Sequence, residues 1–327
     1  MRLPMPMLLG VSLLVSATSP QSPTDGPAAR GGHAMTYDSK RRLTLVFGGG
    51  NRQHALNDLW GWDGDRWRKL ADSGPPSRDS ATFVYDSQRM QAVVVGGRTS
   101  NGLLDDTWEW DGTIWRERKV AGPGIRLHHF AAFDERRGRL VLYGGLKPIE
   151  KTVERLTDTW EWDGVSWTRR DTEGFAAFPS SIAYDEERHQ VVVIAVDATT
   201  PPDGERPSAM WGWDGRQWMR VSAAFGEPTL SPSQPTSPGP GGLVLLDGAM
   251  HKGNVAMTWL WRGGRWLRSD APPPTPQRVS HAMAYDTVRK RVVMFGGHAG
   301  FMPGRNGEMF GDTWEWTGGA WERVQPR

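Results

Sequence analysis

Arginine and aspartate recur in step along this 327-residue chain, and with eight histidines they are the groups that could bind an anion, hold a metal or move a proton. Arg30, Arg78, Arg126 and Arg278 each stand at one fixed distance before a Gly-Gly pair, namely Gly48-Gly49, Gly96-Gly97, Gly144-Gly145 and Gly296-Gly297. Asp58, Asp106, Asp158 and Asp312 follow those pairs. Two further copies of the surrounding pattern have Ala177 and Thr229 in place of Arg, and Ala209 and Met257 in place of Asp. They also replace Gly-Gly with Ala195-Val196 and Asp247-Gly248. The three features appear and vanish together. A planar guanidinium matches a carboxylate through two parallel hydrogen bonds, so the covariation within one chain predicts a structural Arg–Asp pair in four copies.

Other chemistries are bounded by what is missing. Without Cys there is no disulfide scaffold, thiolate metal site or Cys nucleophile. Against 37 acidic residues, 39 basic ones leave a net charge of +2, which does not indicate a nucleic-acid partner. No Ser/His/Asp arrangement, metal-ligand motif or phosphate loop stands out, so no catalytic residue, metal ligand or cofactor is assigned.

The elements that must carry these residues are set by tryptophan. Asp58-Leu59-Trp60-Gly61-Trp62-Asp63-Gly64 with Trp67 recurs five more times, its first indole falling at Trp60, Trp108, Trp160, Trp211, Trp259 and Trp314. Six repeats of three account for all 18 Trp, so the indoles are a repeat signature, not an aromatic binding surface. Each repeat holds four β-like runs. The second is an apolar run ending at Gly-Gly, suited to a strand buried on both faces, and the third and fourth are joined at Asp-Gly. Read as a two-residue type I′ turn, Asp-Gly places Trp108 across from Trp115 with Trp110 on their face. Four-stranded units about every 50 residues, with no helical periodicity, predict an all-β, six-bladed β-propeller of four-stranded antiparallel blades. The blades run approximately over 30–72, 78–120, 126–170, 177–221, 229–269 and 278–325. In the fifth, the first strand falls at Thr229 to Thr236, and Pro232 and Pro235 predict that it is missing or broken.

Strand alternation puts the loops between second and third strands, and those between blades, on one face. The short turns lie on the other, and function is expected with the long loops. The sixth loop, His298 to Gly311, is the longest and carries Phe301, Met302, Met309 and Phe310, a candidate partner contact. Blades 6 and 1 adjoin in a closed ring, which places His33, His54, His281 and His298 on one side as a candidate metal or anion site. Against this, no ligand carboxylate joins them, and histidines hydrogen-bonding in a polar channel account for the same spacing. A ring of arginines at the channel mouth, with Arg30 and Arg278 among them, could likewise bind an acidic peptide or sugar acid. That reading leaves the matching Asp unexplained.

The Gly-Gly closing the second strand, followed by an aromatic and a later Trp, resembles the kelch repeat over Arg30 to Gln325. The kelch Tyr is replaced by Trp62, Trp110 and their equivalents. Kelch propellers include the central domain of galactose oxidase, whose copper-radical chemistry needs a Tyr cross-linked to Cys and so fails here. They also include a periplasmic sialic acid mutarotase, so the resemblance leaves open a small periplasmic enzyme acting on an acidic sugar. At the N-terminus, Met1-Arg2, an apolar stretch from Leu3 to Val15 and Ala17 form the pattern of a secretory signal over 1–17, with a leader over 18–29. The expectation is an exported, periplasmic or extracellular monomer with no membrane span. Its expected role is non-catalytic recognition through the long-loop face, with a protein partner foremost and an acidic glycan as the alternative ligand.

Overall fold

The structure, a computed structural model, describes residues 26–51, 53–170, 175, 178–196, 208–222, 236–247, 256–300 and 307–326. The segment expected to be a secretory signal lies outside them. Blade 1 consists of strands Ala34–Asp38, Leu43–Phe47, Leu59–Trp62 and Trp67–Ala71, hydrogen-bonded in sequence order. Five more four-stranded sheets repeat that order, giving six antiparallel blades among the described residues. The innermost strands meet in a complete circuit, each touching the next and the sixth touching the first. Every blade is built from one stretch of chain, so the ring closes by packing of blade 6 on blade 1 with no exchanged strand. No helix of the described residues is long and apolar enough to cross a membrane.

The core lies between blades, because a strand buried on both faces sends alternate side chains to opposite neighbours. Its six apolar clusters each join two adjacent blades, and one of them packs Met35, Val46 and Trp62 of blade 1 against Val293 and Phe295 of blade 6. The middle indole of each repeat is the most deeply set: Trp62, Trp162, Trp213, Trp261 and Trp316 are 0% exposed. Each indole removes about 150–250 Å² from water, the bulk needed to fill a wedge-shaped gap.

Burial obliges the indole N–H groups to find acceptors, and the repeat supplies them from three positions. The first indole donates to the Asp of its own blade, as Trp60 does to Asp58 at 2.7 Å and Trp160 to Asp158 at 2.7 Å. The second donates to a Glu of the preceding blade, as Trp162 does to Glu109 at 3.1 Å and Trp213 to Glu161 at 2.8 Å. The third donates to a Thr of the preceding blade, as Trp167 does to Thr107 and Trp218 to Thr159 at 2.9 and 2.8 Å. Where the acceptor is absent, six indoles are orphaned among the described residues. Leu59 and Gly61 leave Trp115 and Trp110 unpartnered, Gly212 leaves Trp261, Leu260 leaves Trp316, and Ala209 and Met257 leave Trp211 and Trp259. Thr159→Val, which keeps shape and removes the acceptor, is expected to lower unfolding free energy by about 1–3 kcal/mol. Leu59→Val, at the matching position where no hydrogen bond exists, should cost only about 1 kcal/mol for its lost methylene. Urea unfolding of the pair of variants checks the difference.

Two local expectations are corrected. The join of third and fourth strands spans four residues, Asp111 to Ile114 in blade 2, so Trp110 and not Trp108 faces Trp115. The Asp111 carboxylate accepts the N–H groups of Thr113 and Ile114 at 2.8 and 3.0 Å, and this side-chain cap stabilises the longer turn. Only blade 5, with Gly263-Gly264 at φ 56° and 80°, makes the two-residue turn with both central residues left-handed. Blade 5 also keeps its inner strand, four residues long at Thr236–Gly239 and paired to Gly242–Asp247. The strand lies downstream of Pro232 and Pro235, which fall outside the described residues. Pro238 is tolerated within it because an innermost strand is hydrogen-bonded on one side only.

Candidate functional site

The expected Arg–Asp pairs form in all four blades, each as a two-pronged contact. Arg30 reaches Asp58 at 2.7 and 2.9 Å, Arg78 reaches Asp106 at 2.6 and 2.7 Å, Arg126 reaches Asp158 at 2.8 and 3.0 Å, and Arg278 reaches Asp312 at 2.5 and 3.0 Å. The same guanidinium crosses over the first glycine of the pair and donates to its carbonyl, for example Arg78 to Gly96 at 2.8 Å. Burial alone would raise these carboxyls, but the guanidinium and the indole N–H together hold Asp58, Asp158 and Asp312 below the usual range.

The arginine backbone ties blades together as its side chain ties strands. Arg78 N–H donates to Leu56 of blade 1 at 3.0 Å, and the Arg78 carbonyl accepts Gly49 N–H at 2.8 Å; Arg30 joins blade 6 in the same way through Phe310 and Gly297. That approach explains Gly-Gly. At Gly48, with φ 65°, a Cβ would come within 2.8 Å of the Arg78 carbonyl oxygen, and at Gly49, with φ 86°, one would come within 2.6 Å of the His33 side chain. Blade 4, with Ala195-Val196, instead continues its ladder to Phe178↔Val196. In blade 4, Phe175 and Trp211 form an aromatic stack with Tyr143, ring centres 4.7 Å apart at each step.

With both prongs on the carboxylate engaged and the residues 0–3% exposed, Arg30, Arg78, Arg126 and Arg278 form no ring of ligand-binding cations. His33 and His281 are also buried, as is His129, and His33 lies edge-on to Phe295 of the preceding blade at 5.6 Å. Burial, followed by the adjacent Arg30 or Arg278 charge, depresses His33 and His281 to about 3, and burial with Arg126 depresses His129 to about 4. All three are neutral packing residues at neutral pH. Of the four expected histidines, the structure brings buried His33 and His281 within electrostatic reach of each other. His54 is exposed on the first loop, and His298 is bound through its backbone to Val279 and through Nδ1 to the Ala299 carbonyl. No three metal-ligating side chains converge among the described residues. Phe301 and Met302 lie outside those residues. Phe310 is turned inward, with the Arg278 guanidinium 4.5 Å over its ring, so this part of loop 6 is folded onto its own blade.

What the loop face does present was not anticipated. The second and third strands of blades 2 and 3 run past the blade as hairpin arms, Gln91–Thr99 with Gly102–Trp110 and Arg139–Ile149 with Thr152–Trp162. Near the tip of the longer arm, Ile149 and Val153 are 44% and 58% exposed. The sequence carried no period-two signal for this arm, since Leu146, Ile149, Val153 and Leu156 do not alternate with polar residues. Beside the arms, Arg98 holds Asp79 at 3.1 Å and Ser80 donates to Asp79 at 2.8 Å. Ser80 and His128 are left-handed at φ 57° and 50°. Burial and then the Arg98 charge depress His128, with Asp79 opposing. This polar group of Asp79, Ser80, Arg98 and His128 was not assembled from sequence, because its members belong to two repeats and two loops.

The opposite face has its own recurring chemistry. In five blades an Asp ends the innermost strand and accepts both the backbone N–H and the guanidinium of the residue three further on: Asp38 with Arg41, Asp86 with Arg89, Asp134 with Arg137, Asp185 with Arg188 and Asp286 with Arg289. These Asp-x-x-Arg turns were legible as spacing and were overlooked. Inside them, the central channel opens at this face as a cavity of about 210 Å³, lined by the innermost strands of all six blades. Tyr37 and Tyr85 face Asp286 and Asp38 of the preceding blades. Burial, then those carboxylates, push Tyr85 up to about 12 and Tyr37 higher still.

No protein-family model matches the chain, and no curated protein matches it. Among solved structures it is similar to one titled "Structure of YjhT", with a TM-score of 0.62 and 14% identity over 92% of this chain and 99% of that one. At that identity the likeness is one of fold, and it agrees with the topology above: the chain is a six-bladed β-propeller.

Proposed function

We propose that the protein is an exported recognition module of kelch type that binds a protein partner through its loop face, without catalysis. One observation carries this reading: Arg30, Arg78, Arg126 and Arg278 are paired and buried within the blades and His33, His129 and His281 are buried, whereas two hairpin arms project from this face, one with apolar side chains near its tip. Exposed β-branched residues on a rigid hairpin suit a protein surface better than a small solute. The N-terminal export pattern and the Gly-Gly and Trp spacing of the kelch repeat support compartment and class. A photoreactive amino acid placed at Ile149 or Val153 is expected to cross-link a partner in the native exported fraction, and one at Val165 on the turn face is not. Cross-linking confined to position 165 would refute the loop-face reading.

A second reading, an enzyme acting on an acidic sugar, is favoured by Asp79, Ser80, Arg98 and His128, where strained backbone, a cation and a titratable imidazole adjoin. It requires that the protein speed anomer exchange of a sugar acid and that His128→Gln abolish the effect.

A further inference from the structure

We propose that the turn-face end of the channel binds the ammonium group of a small organic cation, held by Glu135 and Glu186 against aromatic rings. Of the residues lining the cavity of about 210 Å³, Glu135 and Glu186 alone carry formal charge, and both are carboxylates. Five arginines of the surrounding turns, Arg41, Arg89, Arg137, Arg188 and Arg289, are committed to Asp38, Asp86, Asp134, Asp185 and Asp286, and Arg136, next to Glu135, lies near Tyr184. Phe133, Tyr184 and Tyr285 supply the apolar wall, and a cation is attracted to the face of such rings.

A second observation is independent of the carboxylates. Ser237, 2% exposed and in the wall of the same cavity, has a buried hydroxyl with no hydrogen-bond partner, as has its neighbour Thr236. A buried hydroxyl without a partner marks a place where a polar group is to be met. Ammonium, with only donors, suits a hydroxyl oxygen and two carboxylates, whereas an anion would meet like charge. Blade 5 shapes the entrance. Pro238 and Gly239 take the positions held by Tyr184 and Asp185 in blade 4 and by Tyr285 and Asp286 in blade 6, so the rim is notched between Glu186 and Tyr285. Glu135, which also accepts the Ser87 hydroxyl, is raised above the usual carboxyl range by partial desolvation and by Asp86, Glu186 and Asp134; a bound cation would relieve that repulsion.

Titration calorimetry of the full chain with n-butylammonium, and with n-butanol as its neutral isostere, tests the proposal. Saturable binding of the amine is expected, with none of the alcohol, and with affinity reduced at least about tenfold in the Glu135→Gln/Glu186→Gln double variant. Ser237→Ala should weaken binding less, with an unchanged circular dichroism spectrum. Binding of the alcohol equal to the amine, an unchanged affinity in the double variant, or no saturable binding of the amine would each overturn it.

Discussion

Arg78→Met is expected to destabilise the ring by about 3–5 kcal/mol, the cost of leaving one partner of a buried pair without the other. The substitution leaves the Asp106 carboxylate with the Trp108 indole N–H but without its cation, and it removes the guanidinium donor from the Gly96 carbonyl. Arg78→Lys should recover only part of the loss, since one ammonium cannot span two carboxylate oxygens and a carbonyl on a neighbouring strand. Removing the carboxylate as well, in Arg78→Met/Asp106→Leu, should cost less than Arg78→Met alone. The apolar double variant copies what blade 5 already does with Met257 at the aspartate position. Equilibrium urea unfolding of the three variants measures the order. If the double variant is the least stable of them, the carboxylate is not what the arginine serves.

Acid sensitivity well above the carboxylate range is the second large effect. His33, His129 and His281 have folded-state values of about 3, 4 and 3, against an ordinary 6.5. Below 6.5 the unfolded chain takes up protons that the folded one refuses, so stability is full above that pH and falls as pH drops towards the folded values. Each such histidine contributes up to about 1.4 kcal/mol per pH unit within the window, so three give a slope of about 4 kcal/mol per unit near pH 5. Asp58, Asp158 and Asp312, lowered by their partners, lose their contribution only below the ordinary aspartate value of 3.8. Unfolding free energies between pH 8 and pH 4.5 thus report chiefly the three buried histidines, with His128, also lowered, adding to the slope and Glu135, which is raised, contributing in the same window. His281→Gln should reduce the slope by about one proton, and an unchanged slope in the triple His→Gln variant would show that the histidines are not the cause.

Neither effect depends on a ligand. Both arise because the groups most suggestive of chemistry in the sequence are engaged in assembly. Regular spacing pointed correctly to Arg30 with Asp58 and its equivalents, because a residue repeated with the fold is first of all a residue the fold requires. By the same logic His33 and His281 belonged to the scaffold, and their shared position with His129 was the sign of it. The residues left over as candidates for function break the repeat: Arg98, His128, the tip of the blade 3 arm, and the Glu135 and Glu186 pair beside the shortened strand of blade 5.

Blade number, strand order and the Arg–Asp covariation were determined by the sequence alone, since each is a local pattern copied six times or deliberately absent from the same copies. Turn length at Asp111, the surviving strand at Thr236–Gly239, the hairpin arms and the enclosure of the channel were decided only in three dimensions. A side-chain cap, a register and a cavity depend on groups brought together from different blades, and distance along the chain carries no information about them until the ring has closed.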